Sequence, residues 1–396
     1  MKKAPSQAQL KGARERESAA MIPVYGQLPF VPERAAGCDI VTSSGRRILD
    51  LYGGHAVSAL GYGHPHLLRA IQDQSQRLLF QSNAVAVGVR AQAAENLAAI
   101  APASLTRVFF TNSGAEANEN ALRIACMTRN RGKILAITHG FHGRSAAASA
   151  VTWNAAESWY GFPQLPFEVD FIPRNDVDAA YSMIDADVAA VIFEPIQGVA
   201  GAFDLSLDFI TALRRATRAC DVLLIADEVQ SGMGRSGRFF SVQAYDTEPD
   251  MLTSAKSLGG GVPCGALLVN EELSAAMKPG DLGSTFGGGP LAAAAIVAVI
   301  ETIQKEDLLA NVRAREAEIR EHCIVGPVTS IQGMGLLLGL RCDRPAREVQ
   351  AALLDHDILT GTSADPEVVR LLPPLLLQSA HVGRLAEALA NSAAKT

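Results

Sequence analysis

Residues 223–240 read LLIADEVQSGMGRSGRFF. An apolar run leads into Gly232, Gly234 and Gly237, the glycine spacing of a dinucleotide-binding turn. That turn needs its glycines directly between strand and helix, and an acid about 20 residues further on. Here the polar segment Asp227–Ser231 intervenes, and the following RFFSVQAYDTEPD (238–250) is a poor helix interrupted by Pro249. Nineteen residues beyond Gly237 stands a lysine, Lys256, not an acid. A nucleotide phosphate loop fails too, because DMLTSAKS carries no glycine ahead of its Lys-Ser pair.

The stretch makes sense when read from its acid. Asp227 closes one apolar strand-like run and Lys256 closes the next, DMLTSAK (250–256). A carboxylate and an amine at neighbouring strand ends are what pyridoxal phosphate requires. The amine bonds the aldehyde, and the acid pairs with the ring nitrogen so that the ring can accept electrons. The phosphate then needs backbone donors. FFTNSGAEANENAL (109–122) offers a strand, a turn at Asn112–Gly114 and a helix N-terminus, whose free N–H groups and dipole favour an anion.

The rest of the chain fits an α/β frame. From about residue 100, short apolar runs alternate with helical ones: RVFFT (107–111), KILAIT (133–138), VAAVIFEPI (188–196), VLLIADE (222–228), DMLTSAK and GALLV (265–269). Continuous apolar strands between helices predict a mostly parallel sheet covered on both faces, with active residues at the strands' carboxyl ends. After Pro290 one long buried helix is expected, then a smaller α+β part containing GLLLGLRC (335–342) and VVRLLPP (368–374). The expected division is a flexible arm over 1–20 and a segment over 21–60 packing with the small domain. A large cofactor-binding domain over 61–289 and a C-terminal small domain over 290–396 complete it. Pro65, between His64 and His66, reads as a helix start, and SGMGRSG as a loop that needs positive φ and close backbone approach.

Composition narrows the function. With 396 residues and 48 % hydrophobic content the chain can bury a large core. A net charge of −6 does not favour nucleic acid or an anionic membrane. The longest apolar stretch, PLAAAAIVAVI (290–300), is too short to span a bilayer. Six cysteines without a CxxC pair fit a reducing, cytoplasmic compartment, with neither a disulfide framework nor a zinc site. His139 and His142 in HGFH have no nearby acids or cysteines to complete a metal site, so none is expected.

Nine segments in one order, ALGYGHPH, FFTNSGAEANENAL, HGFHGR, FEPIQG, LLIADEVQSGMGRSG, PDMLTSAKSLGGG, GSTFGGGPLA, GMGLLLGL and VVRLLPP, resemble class-III (ω-amino) aminotransferases of fold type I. The nearest subgroup is that of the acetylornithine aminotransferases. The resemblance runs from about residue 22 to the C-terminus. It implies a pyridoxal-phosphate transferase fold and a homodimer with shared active sites. The implied reaction moves the terminal amino group of N-acetylornithine, or of a related ω-amino acid, to 2-oxoglutarate, as in arginine biosynthesis. It also implies roles residue by residue. Ser113, Gly114 and Ala115 resemble the phosphate turn, Phe141 the aromatic that stacks on the ring, and His142 its neighbour. Glu194 is similar to an acid near the cofactor, Asp227 to the ring-nitrogen partner, and Val229 and Gln230 to residues beside the ring. Lys256 matches the covalently bonding lysine. Arg144 resembles the arginine that grips the substrate α-carboxylate, and Arg370 the small-domain arginine that binds a second carboxylate. Ser284 and Thr285 resemble residues that reach substrate and phosphate from the other subunit.

Three departures concern the substrate. Val199, in EPIQGVAGA, stands where many members carry a glutamate that pairs with the arginine matching Arg370. SNAVAVGVR (82–90) is small where acetylornithine enzymes tend to line the pocket with tyrosines, and Ser58 and Gly289 replace common asparagines. Ornithine, diaminobutyrate or acetyl-lysine therefore stand as alternative donors, and an aminomutase or racemase as an alternative reaction. A catalytically idle regulator is disfavoured by intact Lys256 and Asp227.

Overall fold

The computed structural model describes residues 12–392. The expected arm over 1–20 therefore lies largely outside the described residues; Ala13–Ala20 form a short helix with no buried residue. The centre is a seven-stranded sheet. Its strands are β1 (Arg107–Thr111), β2 (Lys133–Ile137), β3 (Glu168–Ile172), β4 (Val188–Phe193), β5 (Leu223–Asp227), β6 (Met251–Ser254) and β7 (Gly265–Val269). The spatial order is β1-β7-β6-β5-β4-β2-β3. All neighbouring pairs are parallel except those made by β7, which runs antiparallel to both β6 and β1.

Strands β4, β5, β6 and β7 are buried at every position because both faces are covered, whereas edge strand β3 alternates with exposed acids. Side chains alternate across a strand. Leu223 and Ile225 join one buried cluster with helix α1 (Gly114–Arg129), while Leu224 and Ala226 join another with helix α2 (Leu207–Ala219). Each fully buried Leu or Ile contributes roughly 1.5–3 kcal/mol. The run from Pro290 forms helix α3 (Pro290–Lys305), which packs on the helices Pro65–Arg77 and Gly88–Ile100. Pro65 does start its helix.

The N-terminal strands Pro32–Ala36, Asp39–Thr42 and Arg47–Asp50 share a sheet with Ile358–Leu359 from the far end of the chain. Val328–Met334, Leu337–Cys342 and Val368–Leu371 form a separate antiparallel sheet. Among the described residues no helix is long and apolar enough to cross a membrane.

Candidate active site

The parallel pairing of β5 and β6 sets Asp227 opposite Thr253. Lys256 lies three residues beyond, so acid and amine stand at the carboxyl ends of adjacent strands. Both line one cavity of about 620 Å³ together with Ser113, Gly114, Ala115, Phe141 and Glu194. His142, Arg144, Val229 and Gln230 face the same space, as does Val199. The volume falls within the range of small-molecule sites.

The wall of this cavity is built by local rules. Ser113 caps α1: its Oγ accepts from Glu116 N at 3.2 Å, and Glu116 Oε2 accepts from Asn112 N at 2.7 Å. The first-turn N–H groups beyond this cap have no intrahelical partner, and Gly114 and Ala115 open on the cavity. A Cβ on Gly114 would meet Val229 at 2.6 Å, so only glycine allows this approach. The SGMGRSG loop does use positive φ, at Met233, Gly234 and Gly237. It is followed only by the short 3-10 turn Ser241–Ala244, which removes the dinucleotide reading.

Asp227 is buried and held from three sides. Its Oδ1 accepts from Val229 N at 3.0 Å, and its Oδ2 accepts from Asn118 Nδ2 at 2.8 Å and lies 2.7 Å from His142 Nδ1. Asn118 also donates to His142 O at 2.7 Å and accepts from Thr253 Oγ1, likewise at 2.7 Å. Sequence reasoning missed Asn118 and Thr253. The one available signal was a lone asparagine on the inner face of α1, which points to no role by itself.

Lys256 is held in the left-handed region at φ 48°, at the start of a 3-10 turn. Burial pushes its amine below the ordinary lysine range; the charges of Asp227 and Glu194 oppose this and that of Arg370 adds to it. Glu194 accepts from Phe141 N at 2.8 Å and Gly198 N at 3.1 Å. Burial, aided by Asp227, still pushes its carboxyl up to about 7.

The family is decided by the whole chain as well as by this cluster. A family model described as "Aminotransferase class-III" matches residues 21–392. The chain belongs to the class-III aminotransferases. It is 39 % identical to an acetylornithine aminotransferase of Gloeobacter violaceus, covering 90 % of this chain and 92 % of that one. It is 35 % identical to another from Methanocaldococcus jannaschii, covering 92 % and 94 %. Its fold matches the ornithine aminotransferase of Toxoplasma gondii, a structure described with partial occupancy of PLP at its active site. The TM-score is 0.89, with 27 % identity over 96 % of this chain and 94 % of that one. An acetylornithine aminotransferase from Elizabethkingia anophelis matches with a TM-score of 0.86 and 26 % identity, covering 96 % and 98 %.

Three expected site residues of this aminotransferase stand apart from the cavity lining. Thr285 is exposed and Ser284 half-buried on the rim, where Ser284 Oγ accepts from Asn112 Nδ2 at 3.3 Å. Arg370 reaches the cavity indirectly, through Gln230 Oε1 at 3.4 Å. The segment 82–90 is also absent from the lining in the single chain; Asn83 and Arg90 bind backbone carbonyls of Ser284, Gly287 and Gly288. Tyr25, Val57 and Val262–Cys264 line the cavity without having been anticipated.

The two substrate arginines differ in setting. Arg144 is exposed, its guanidinium stacked 4.5 Å from the Trp159 ring centroid. Arg370 is 6 % exposed. It donates to Thr362 O at 2.7 Å, Gly198 O at 3.1 Å and Tyr52 Oη at 3.3 Å. Among the described residues no carboxylate lies within 4 Å of either arginine. The hydrogen-bond acceptors of Arg370 among the described residues are all neutral: two backbone carbonyls, the Gln230 amide and the Tyr52 phenol.

Proposed function

We propose that the chain is a pyridoxal-phosphate-dependent aminotransferase that takes the terminal amino group of N-acetylornithine and passes it to 2-oxoglutarate. The observation that carries this reading is Asp227 and Lys256 at adjacent strand ends, facing a helix N-terminus across one cavity. These residues fit the cofactor's parts: a donor cradle for phosphate at Ser113–Ala115, an acid for the ring nitrogen at Asp227 and an amine for the aldehyde at Lys256. Phe141 and Val229 flank the space between. When bound, the cofactor supplies a carbonyl for amines and an electron-accepting ring for a broken C–H bond.

The chain's own residues do the rest. Asp227, fixed by Asn118, His142 and the backbone of Val229, holds a proton on the ring nitrogen. Lys256 takes and returns the proton beside the reacting nitrogen, and its lowered basicity makes the neutral amine accessible. Arg144, a planar fork at the mouth, receives the donor's α-carboxylate, and Arg370 a carboxylate of the acceptor. Glu194 and Gln230 keep polar contacts beside the ring.

We further propose a homodimer whose partner supplies Ser284 and Thr285. What supports it is the exposed apolar group Leu78, Leu79, Phe80, Val85 and Phe286 beside these residues, with Phe80 and Phe286 rings 5.0 Å apart. A place in arginine biosynthesis follows from the donor, and six free cysteines support a reducing, cytoplasmic setting. Because Val199 in the cavity wall departs from the family pattern, ornithine, diaminobutyrate or acetyl-lysine stands as the second reading of that donor. A panel of these donors with 2-oxoglutarate tests the proposal: the largest kcat/KM is expected with N-acetylornithine, and glutamate formation with none of them would refute it.

A further inference from the structure

We propose that His55 is a positioning residue which, through Tyr52, aims the Arg370 guanidinium at the acceptor's carboxylate. The inference rests on the reading of Arg370 as a carboxylate-binding arginine. Gly53, Gly54, His55 and Ala56 have φ of 56°, 58°, 64° and 64°. Four consecutive residues thus form one left-handed helical turn, closed by Ala56 N to Tyr52 O at 3.1 Å and Val57 N to Gly53 O at 2.8 Å. L-residues are held there against their preference, and such strain gathers at functional sites. Asp50 anchors the turn by accepting from Tyr52 N at 2.8 Å and Gly53 N at 2.9 Å.

The turn brings His55 Nδ1 to 2.7 Å from Tyr52 Oη. Arg370 Nη2 lies 3.3 Å from the same oxygen. A guanidinium only donates, so the phenol oxygen accepts from Arg370 and its single hydrogen is left for His55 Nδ1. In the proposed order Arg370 donates to Tyr52, and Tyr52 donates to Nδ1 of a neutral imidazole protonated on Nε2. Partial burial, with the charges of Arg370 and Lys256, holds that imidazole below its ordinary range. The phenol has no slack: Gly361 pairs with Arg370 at 2.8 and 3.0 Å, and a Cβ on Gly361 would collide with the Tyr52 ring. Tyr52 is therefore pressed against the strand that carries the arginine. With Val199 in the cavity wall and no carboxylate beside the guanidinium, its direction depends on these neutral partners.

The test uses the cofactor-loaded enzyme with His55→Gly, which suits the left-handed turn while removing the ring. His55→Asn tolerates the turn and keeps an acceptor, and Arg370→Gln is the control. Glutarate binding is measured by calorimetry, and 2-oxoglutarate kinetics in the acceptor half-reaction. His55→Gly is expected to weaken glutarate and raise the 2-oxoglutarate KM about tenfold, with kcat changed less than about twofold, and His55→Asn to recover most of the loss. If Arg370→Gln weakens glutarate but His55→Gly does not, the role of His55 is overturned and the reading of Arg370 stands. If Arg370→Gln has no effect, the reading of Arg370 itself falls. An equal fall of kcat in both half-reactions for His55→Gly, without recovery in His55→Asn, would make the turn merely structural and overturn the proposal.

Discussion

Asp227 and Arg370 are both buried charged groups, and their surroundings are opposite. Asp227 sits among three donors from a loop, a helix and its own turn. Among the described residues, the hydrogen-bond partners of Arg370 are carbonyls, an amide oxygen and a phenol. A buried charge without an opposite partner is costly, so a fold that keeps one holds it ready for a ligand of the other sign. The acid belongs to permanent machinery and the arginine to a place that a substrate completes. In the same molecule, one region is finished before anything binds and the other is not.

The largest expected effect comes from unsettling the finished region. Asp227→Asn keeps the side chain's shape but cannot hold a proton on the ring nitrogen, and turnover should fall by about 10²–10³. Near-normal steady-state rates would place Asp227 outside the machinery. Next is the open region. Arg370→Gln should raise the 2-oxoglutarate KM by roughly 30- to 100-fold, the loss of a charge-assisted pair, and change the donor KM far less. Equal changes in both would erase the contrast. Smaller again is Val199→Glu, which gives Arg370 an acid beside it. The acceptor half-reaction should slow by about threefold to tenfold, and identical half-reaction kinetics would deny Arg370 its open character.

The smallest effect is thermodynamic and concerns Lys256 in the cofactor-free protein. Its folded-state basicity is lowered by burial. The stability this group adds is therefore full only above the unfolded value and is lost as pH falls through the folded value. Lys256→Met removes that loss. A higher Tm at pH 7 is expected, the gain shrinking as pH approaches the ordinary lysine value of 10.5. No gain at pH 7, or one that grows with pH, would show that the amine is not penalised.

How much was legible in the sequence follows the same division. The finished region is written in short segments: an apolar run ending in Asp227, another ending at Lys256, and a turn at 112–114 leading into a helix. Each is a local pattern; the parallel pairing of β5 and β6 brings the acid and the amine together, and β1, paired antiparallel with β7, carries the turn to the same edge of the sheet. All but three of the expected site residues line the cavity. The antiparallel direction of β7 was not legible, since periodicity does not report strand direction, and edge strand β3 was missed because Glu168 and Asp170 interrupt its apolar run. The open region joins positions some 300 residues apart: Tyr52 meets Arg370 and Gly361, and Gly198 supplies a carbonyl. No local pattern predicts such meetings, nor a left-handed turn that includes a histidine. Asn118 was hidden for the converse reason: its role depends on which loop and strands its helix covers.

Lys256, at the strand end beside that of Asp227, is the amine proposed to bond the cofactor. That bond is tested by loading the purified protein with pyridoxal phosphate, reducing with borohydride and mapping the modified peptide by mass spectrometry. A single reduced adduct is expected on Lys256, lost in a folded Lys256→Ala variant. An adduct on another lysine, or a protein that takes up no cofactor, would contradict it.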